Sequence, residues 1–362
     1  MNDLLAMADQ ECTTLWNTLR LGYTECRGLP LLRAEIAKDS EGMDEDNVLC
    51  FAGAEEGIYC AFKTLLCPTD HAIVVTPCYQ SLKSIPETLC KISTLDLTPE
   101  QGWKLDMSKL RDLIQPGITK LIIFNFPHNP TGTNITVIEQ QELVALAKEH
   151  NLWLFCDEVY RGVERTADTT DKVVSLPTFA SVYEKAISLG AVSKVYGMAG
   201  LRIGWITCAD KAILSAISDN KHYLSICNSG PSEILALIAL RERDRIVGRV
   251  RQIIAQNEAY LAGFLARYPD RFSWTPPKGG CCGFMCIHLP ADVDLAMVTE
   301  RLVQQHGVLI LPGENFPVTS SENIESIRKH FRIGLGRADF PEALDAFEVA
   351  LPLVLSDMNV KI

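Results

Sequence analysis

The chain has 362 residues, 47% of them hydrophobic and 22% charged, and its 34 basic and 45 acidic side chains leave a net charge of −11. That length predicts about two domains, each long enough to bury a core, and the acidic balance, with a sequence pI near 5.2, argues against a protein built to grip nucleic acid by neutralising phosphates. The apolar runs are short and broken by charges or prolines, so none approaches the roughly 20 residues of a spanning helix.

Met1–Arg20 reads as one helix, and its start carries Asp3, Asp9 and Glu11 but no Lys or Arg up to Glu11, unlike the basic start of a secretory signal. Gly57–Leu66 places Ile58, Phe62, Leu65 and Leu66 on one helical face. His71–Pro77, Lys120–Pro127, Asn151–Val159, Ala186–Val192 and Arg202–Cys208 read as buried strands. Thr136, with Glu139 three residues on, predicts a capping box for a helix reaching about His150. Strands alternating with helices predict an α/β fold whose mostly parallel sheet is covered on both faces. Ligands of such folds sit beyond the carboxyl ends of the strands, where Tyr79, Asn129, Asp157, Tyr160 and Lys194 fall.

Beyond Ser232 the texture changes. Pro231–Arg267 is long, helical and rich in charge, Pro276–Gly280 breaks the chain, and Cys281–Phe347 reads as a smaller α+β unit with strands at Gly283–His288, Val308–Leu311 and His330–Gly334. The expected division is a large domain over residues 45–240 and a small one made of 1–44 and 241–362, the latter including a long connecting helix. The 13 cysteines form no CxxC pair and no zinc-site spacing. They read as free thiols, mostly buried, in a reducing cytoplasm, with no metal.

Three segments carry chemistry. In Ser193–Gly204 a lysine, Lys194, directly follows an apolar strand. Burying its ammonium is costly unless it is neutralised or paired, and a desolvated lysine becomes a nucleophile able to form a Schiff base; the competing reading is a strand-end lysine turned out to water. Arg202, eight positions on, is a fixed cation suited to phosphate. In Asn125–Gly132 two prolines bracket Asn129 in a rigid turn, with Asn129–Pro130 a candidate cis bond. In Asp157–Tyr160 an aspartate closes an apolar run and needs a partner, unless it is simply a helix cap.

The three segments together, NFPHNPTG, DEVY and SKxxGxxGLRxG, resemble the class I/II aminotransferase family of fold-type I pyridoxal-phosphate enzymes, over about Tyr23 to Arg332. The resemblance implies a three-layer αβα large domain with a smaller α+β C-terminal domain, and transfer of the amino group of an amino acid to a 2-oxo acid. It assigns Lys194 the Schiff base with the cofactor and the later proton shuttle. Asp157 would pair with the pyridinium nitrogen, Tyr160 and Asn129 would donate to the ring's phenolic oxygen, and Tyr79 would stack on the ring face. The phosphate would be held by Ser193, Arg202 and the backbone N–H groups of Ala54 and Glu55, with the Glu55 side chain pointing away because its charge would repel. Tyr23 would reach the phosphate of a neighbouring subunit, implying a homodimer with shared sites, and Arg332 would clamp the substrate carboxylate.

Ala191 stands where many members carry Ser or Gly, which predicts a weaker hold on phosphate. A PHNPTG string around His128 also occurs in a carbon–sulfur β-lyase branch of this fold. Only 22 residues precede Tyr23, fewer than members usually carry, so the pocket is expected to be partly open. The alternative outcomes are β-elimination or cyclisation by an enzyme of this fold, with a non-catalytic cofactor-binding dimer as the third. Pocket walls are expected at Cys26–Leu29, His128, Tyr196 and Asn315–Phe316, and the Cys281–Cys282 pair is expected to be packed.

Overall fold

The computed structural model describes residues 1–164, 175–319 and 321–360. Its larger sheet has seven strands: β1 (Val48–Phe51), β2 (His71–Thr76), β3 (Lys91–Asp96), β4 (Thr119–Asn125), β5 (Trp153–Asp157), β6 (Ala186–Ala191) and β7 (Gly204–Cys208), in the order β1-β7-β6-β5-β4-β2-β3. β3, β2, β4, β5 and β6 pair in parallel, while β7 runs antiparallel to both β6 and β1. All five residues of β5 are buried, as a near-continuous apolar run requires when helices cover both faces.

The element after β4 shows how sequence sets the frame. Thr136 Oγ1 accepts from Glu139 N at 3.2 Å and Glu139 Oε2 accepts from Thr136 N at 2.7 Å. This capping box starts the helix Val137–His150, which Asn151 ends in the left-handed conformation at φ 55°. The chain then enters β5 directly. The sharp stop fixes the register in which Asn125 of β4 lies beside Asp157 of β5.

A second, antiparallel sheet has β8 (Phe272–Trp274), β9 (Cys282–Ile287), β10 (Leu311–Pro312) and β11 (His330–Gly334) in the order β10-β11-β9-β8. The 25-residue helix Arg243–Arg267 buries Ile254, Leu261 and Phe264 with Met285, Ile287 and Phe331 in the core of this sheet. Among the described residues, no helix is long and apolar enough to cross a membrane.

Several local expectations shift. Met1–Arg20 is two helices, Asn2–Leu5 and Gln10–Asn17, because the Asp9 side chain accepts from Cys12 N at 2.8 Å and starts a new helix. The strand expected at Val308–Leu311 is Leu311–Pro312, since Val308 N is drawn back to Leu302 O at the end of the preceding helix. β7 begins at Gly204 because Arg202 takes a left-handed conformation, φ 53°. β1 and β3 were not foreseen: β1 has only four residues, and β3 is a largely half-exposed edge strand without a continuous apolar run.

The two sheets meet at a glycine contact. Gly132 (φ 71°) accepts at its carbonyl from Gly279 N at 2.6 Å, and a Cβ on Gly132 would stand 1.9 Å from the Cys282 carbonyl oxygen. Both the backbone conformation and the space exclude a side chain. Gly132→Ala is expected to cost about 3 kcal/mol of stability, read as a lowered urea midpoint; an unchanged midpoint would show that the contact opens freely.

Candidate active site

The carboxyl ends of β4, β5 and β6 open onto a cavity of about 170 Å³. Its walls include Ala54, Glu55, Tyr79, Asn125, Asn129, Asp157, Tyr160, Ser193, Lys194 and Arg202, so residues from five separate stretches of sequence converge on one space.

Asp157 forms the floor. It ends β5, is buried, and its Oδ1 accepts from Val159 N at 3.1 Å. Burial pushes its carboxyl up to about 7, against the Val159 N–H and the Lys194 ammonium, which pull it down; Glu158 and Glu55 add to the rise. The adjacent Glu158 has a different setting: its Oε1 accepts from Ser188 Oγ at 2.6 Å and from Phe179 N at 3.0 Å. It serves the packing of the strand, while Asp157 faces the cavity.

Tyr160 is buried beside the floor, and burial pushes its phenol well above the ordinary range. The Lys194 Nζ lies 6.0 Å from the Tyr160 ring centre. Lys194 is itself exposed, the outward-turned of the two readings its sequence allowed: β6 ends at Ala191, and Lys194 stands three positions further on, at the cavity. Ser193 is half-buried on the same wall.

Asn129 is fixed from both sides. Its N–H donates to Asn125 Oδ1 at 2.7 Å, and Asn125 Nδ2 donates to the Asp157 carbonyl at 2.6 Å. Its own Oδ1 accepts from Arg332 Nη1 of β11 at 3.0 Å. One chain of hydrogen bonds therefore runs from β5 through the turn to the second sheet. The Asn129–Pro130 bond is cis, as are Thr76–Pro77 and Phe126–Pro127. Asn125 was not singled out in the sequence; the available signal was that it ends β4 as Asp157 ends β5.

At the other end of the cavity the helix Ala54–Leu65 begins. Gly53 (φ 100°) leaves room for Arg202, since a Cβ there would fall 2.2 Å from Arg202 Nη2. That cradle of a guanidinium, a serine hydroxyl and helix-terminal N–H groups suits a phosphate. With an aspartate on the floor, an amide and a phenol at its side and a primary amine at the mouth, the residues fit pyridoxal phosphate.

The other candidate residues lie as follows. Glu55 is exposed and among the residues lining the cavity, its Oε1 accepts from Ser81 Oγ, and burial, followed by the Glu55 charge, pushes the Tyr79 phenol up. Tyr79 lines the cavity while half its surface stays open. Tyr23 is 90% exposed and lies outside the cavity lining, so this chain's own site does not use it. His128 is buried within its turn, its Nδ1 2.8 Å from Thr131 Oγ1, and burial pushes the imidazole down to about 3; it packs and lines no part of the cavity. Tyr196 faces a separate cavity and accepts from Arg243 Nε at 2.9 Å. Cys26–Leu29 and Asn315–Phe316 also lie outside the lining. Cys282 is buried and Cys281 half-buried, and all 13 cysteines are free thiols. Among the described residues no group of side chains is arranged to hold a metal ion.

The family model for aminotransferase class I and II matches residues 5–346. Capreomycidine synthase of Streptomyces vinaceus is 28% identical over 289 residues, 79% of this chain and 71% of that protein. Arginine–pyruvate transaminase of Pseudomonas aeruginosa is 26% identical over 328 residues, 86% of this chain and 77% of the relative. Among solved structures, a PLP-dependent aminotransferase from Streptococcus suis superposes with a TM-score of 0.85 at 27% identity, covering 98% of this chain and 90% of its own.

The raised carboxyl has a measurable consequence in cofactor-free protein. Between the ordinary value of 3.8 and about 7, folded Asp157 keeps a proton that the unfolded chain has lost. The folded state then binds more protons, and stability falls as pH rises through that window. Asp157→Asn is expected to flatten this fall and to be the more stable protein above about pH 7, as measured by urea unfolding across the range. Parallel pH profiles for the two proteins would count against it.

Proposed function

Because the chain belongs to the class I and II aminotransferase family, with pyridoxal phosphate as its cofactor, we propose that Lys194 is the residue through which it transfers the amino group of an amino acid to a 2-oxo acid. The observation that carries this reading is the convergence of Lys194, Asp157, Asn129, Tyr160 and Arg202 on one cavity. Pyridoxal phosphate, when bound, supplies a carbonyl carbon for covalent attachment and a ring that accepts the electrons of a bond broken at the substrate α-carbon.

Arg202, Ser193 and the N–H groups of Ala54 and Glu55 hold the phosphate, and Tyr79 covers the ring. Asp157, set on the floor, pairs with a protonated ring nitrogen, whose positive charge offsets the cost of burying the carboxylate. The Tyr160 hydroxyl and the Asn129 amide donate to the ring oxygen. Lys194 would hold the cofactor through its amine and, when that amine is free, would move a proton at the substrate α-carbon. Arg332 takes the substrate carboxylate, already oriented by its bond to Asn129.

The catalytic unit is a homodimer in this reading. Tyr23, Leu21 and Tyr223 are each about 90% exposed, and Thr24 Oγ1 donates to Asn228 O at 2.9 Å, which brings the two exposed stretches together. A second subunit seated there would bury them and receive Tyr23 at its phosphate. The free thiols support a cytoplasmic setting. Cyclisation is the second reading; it would share the proton transfer by Lys194 and differ in the fate of the substrate.

Lys194→Ala is expected to abolish turnover and the visible absorbance of the bound cofactor. Formation of a 2-oxo acid from the donor, without free ammonia, identifies transfer, and ammonia release identifies elimination. Arg332→Ala is expected to raise KM for the amino acid by about tenfold or more while cofactor affinity holds. Loss of cofactor affinity instead would make Arg332 a structural residue.

A further inference from the structure

The charges of the cavity do not all find partners. Lys194, Arg202 and, outside the cavity lining, Arg332 each have a place in the proposed reaction, and Asp157 is assigned the ring nitrogen. Glu55 is left. It is exposed on the cavity wall, its carboxylate rests on the Ser81 hydroxyl and beside the Tyr79 phenol, and no cation lies within ion-pair distance of it among the described residues.

Two hydroxyl groups orient a carboxylate without neutralising it. The position is also costly for a protein that must admit a phosphate nearby, because the carboxylate opposes that anion. An acid in the first turn favours the helix itself, but the backbone N–H groups are what the phosphate needs, and the carboxylate adds nothing to that contact. An unbalanced carboxylate on the wall of a cleft attracts cations into it, and a planar guanidinium or an ammonium can bond to such an oxygen directly.

Resting on the proposed reaction, we infer that Glu55 reads a positive charge on the side chain of the amino-acid substrate, so that the enzyme takes amino acids with a cationic side chain. Ser81 and Tyr79 are positioning residues that hold the carboxylate on the wall. Arg332 takes the carboxylate end of the substrate and Glu55 the cationic end, which requires a substrate long enough to span the two.

The test uses the cofactor-loaded enzyme and two acids without an α-amino group, which bind without reacting: δ-guanidinovalerate, which carries a cationic end, and δ-ureidovalerate, its uncharged counterpart of the same shape. Calorimetric Kd values are expected to favour the guanidinium acid by about tenfold or more, and Glu55→Gln is expected to reduce that ratio to about one. Equal affinities in the unaltered enzyme would overturn the inference, as would a preference that survives in Glu55→Gln. Amino-group transfer is assayed in parallel on L-arginine, L-citrulline and L-alanine. Transfer without discrimination by charge sinks this inference alone, whereas no transfer from any amino acid, with neither acid bound, sinks the proposed reaction as well.

Discussion

The site is organised by one buried carboxyl group. Asp157 closes a strand whose five residues are all buried, and an ionised carboxylate there is unfavourable without a nearby positive charge. The protein offers it one backbone N–H and the Lys194 ammonium at the cavity mouth. The remaining need is for a cation at the floor of the cavity. A heterocyclic nitrogen that takes up a proton meets it, and so the same burial that destabilises the empty site favours the protonated ring. Stability and function pull in opposite directions at this residue.

Arg332 depends on the same strand end through a different route. The Asp157 carbonyl accepts from Asn125 and from Phe126 N, Asn125 holds the Asn129 backbone, and the Asn129 side chain accepts from Arg332. Arg332 sits in an inner strand of the second sheet, paired with Phe284 and Leu311. A guanidinium on one sheet is thus aimed by an amide anchored to the other. The close approach of Gly132 and Gly279 keeps the two sheets in register beside that bond. Loosening the glycine contact would move Arg332 relative to Asn129 without touching either residue.

Much of this was legible in the sequence because the key side chains end apolar runs. Asp157 and Asn129 follow strands that can be read from composition, and Thr136 with Glu139 announces a helix start that the structure contains. What was not legible depends on contacts between distant segments. Asn125 ends β4 as Asp157 ends β5, but the partner that gives it meaning, the Asp157 carbonyl, lies 32 positions away. The partner of the Glu55 carboxylate, Ser81, lies 26 positions later, a pairing no local pattern announces. Lys194 follows a strand, which left a buried and an outward amine both open; two residues separate it from the end of β6, and it is exposed. The short edge strands β1 and β3 were invisible for want of length or apolar continuity.

The arrangement of charge gives the cavity a direction. At one end Arg202 and the first N–H groups of the helix Ala54–Leu65 favour an anion; on the floor Asp157 favours a protonated nitrogen; beyond Asn129 lies Arg332. A flat ligand bearing a phosphate at one edge and a basic nitrogen at another would meet the first two demands with its phosphate at Arg202 and its nitrogen at Asp157, because the reverse would place phosphate against Asp157. Those two contacts still let the ligand turn over about the line that joins them, and donors at Tyr160 and Asn129 would select the face by drawing an acceptor oxygen to their side. Electrostatic exclusion and hydrogen bonding would each settle one part of the orientation.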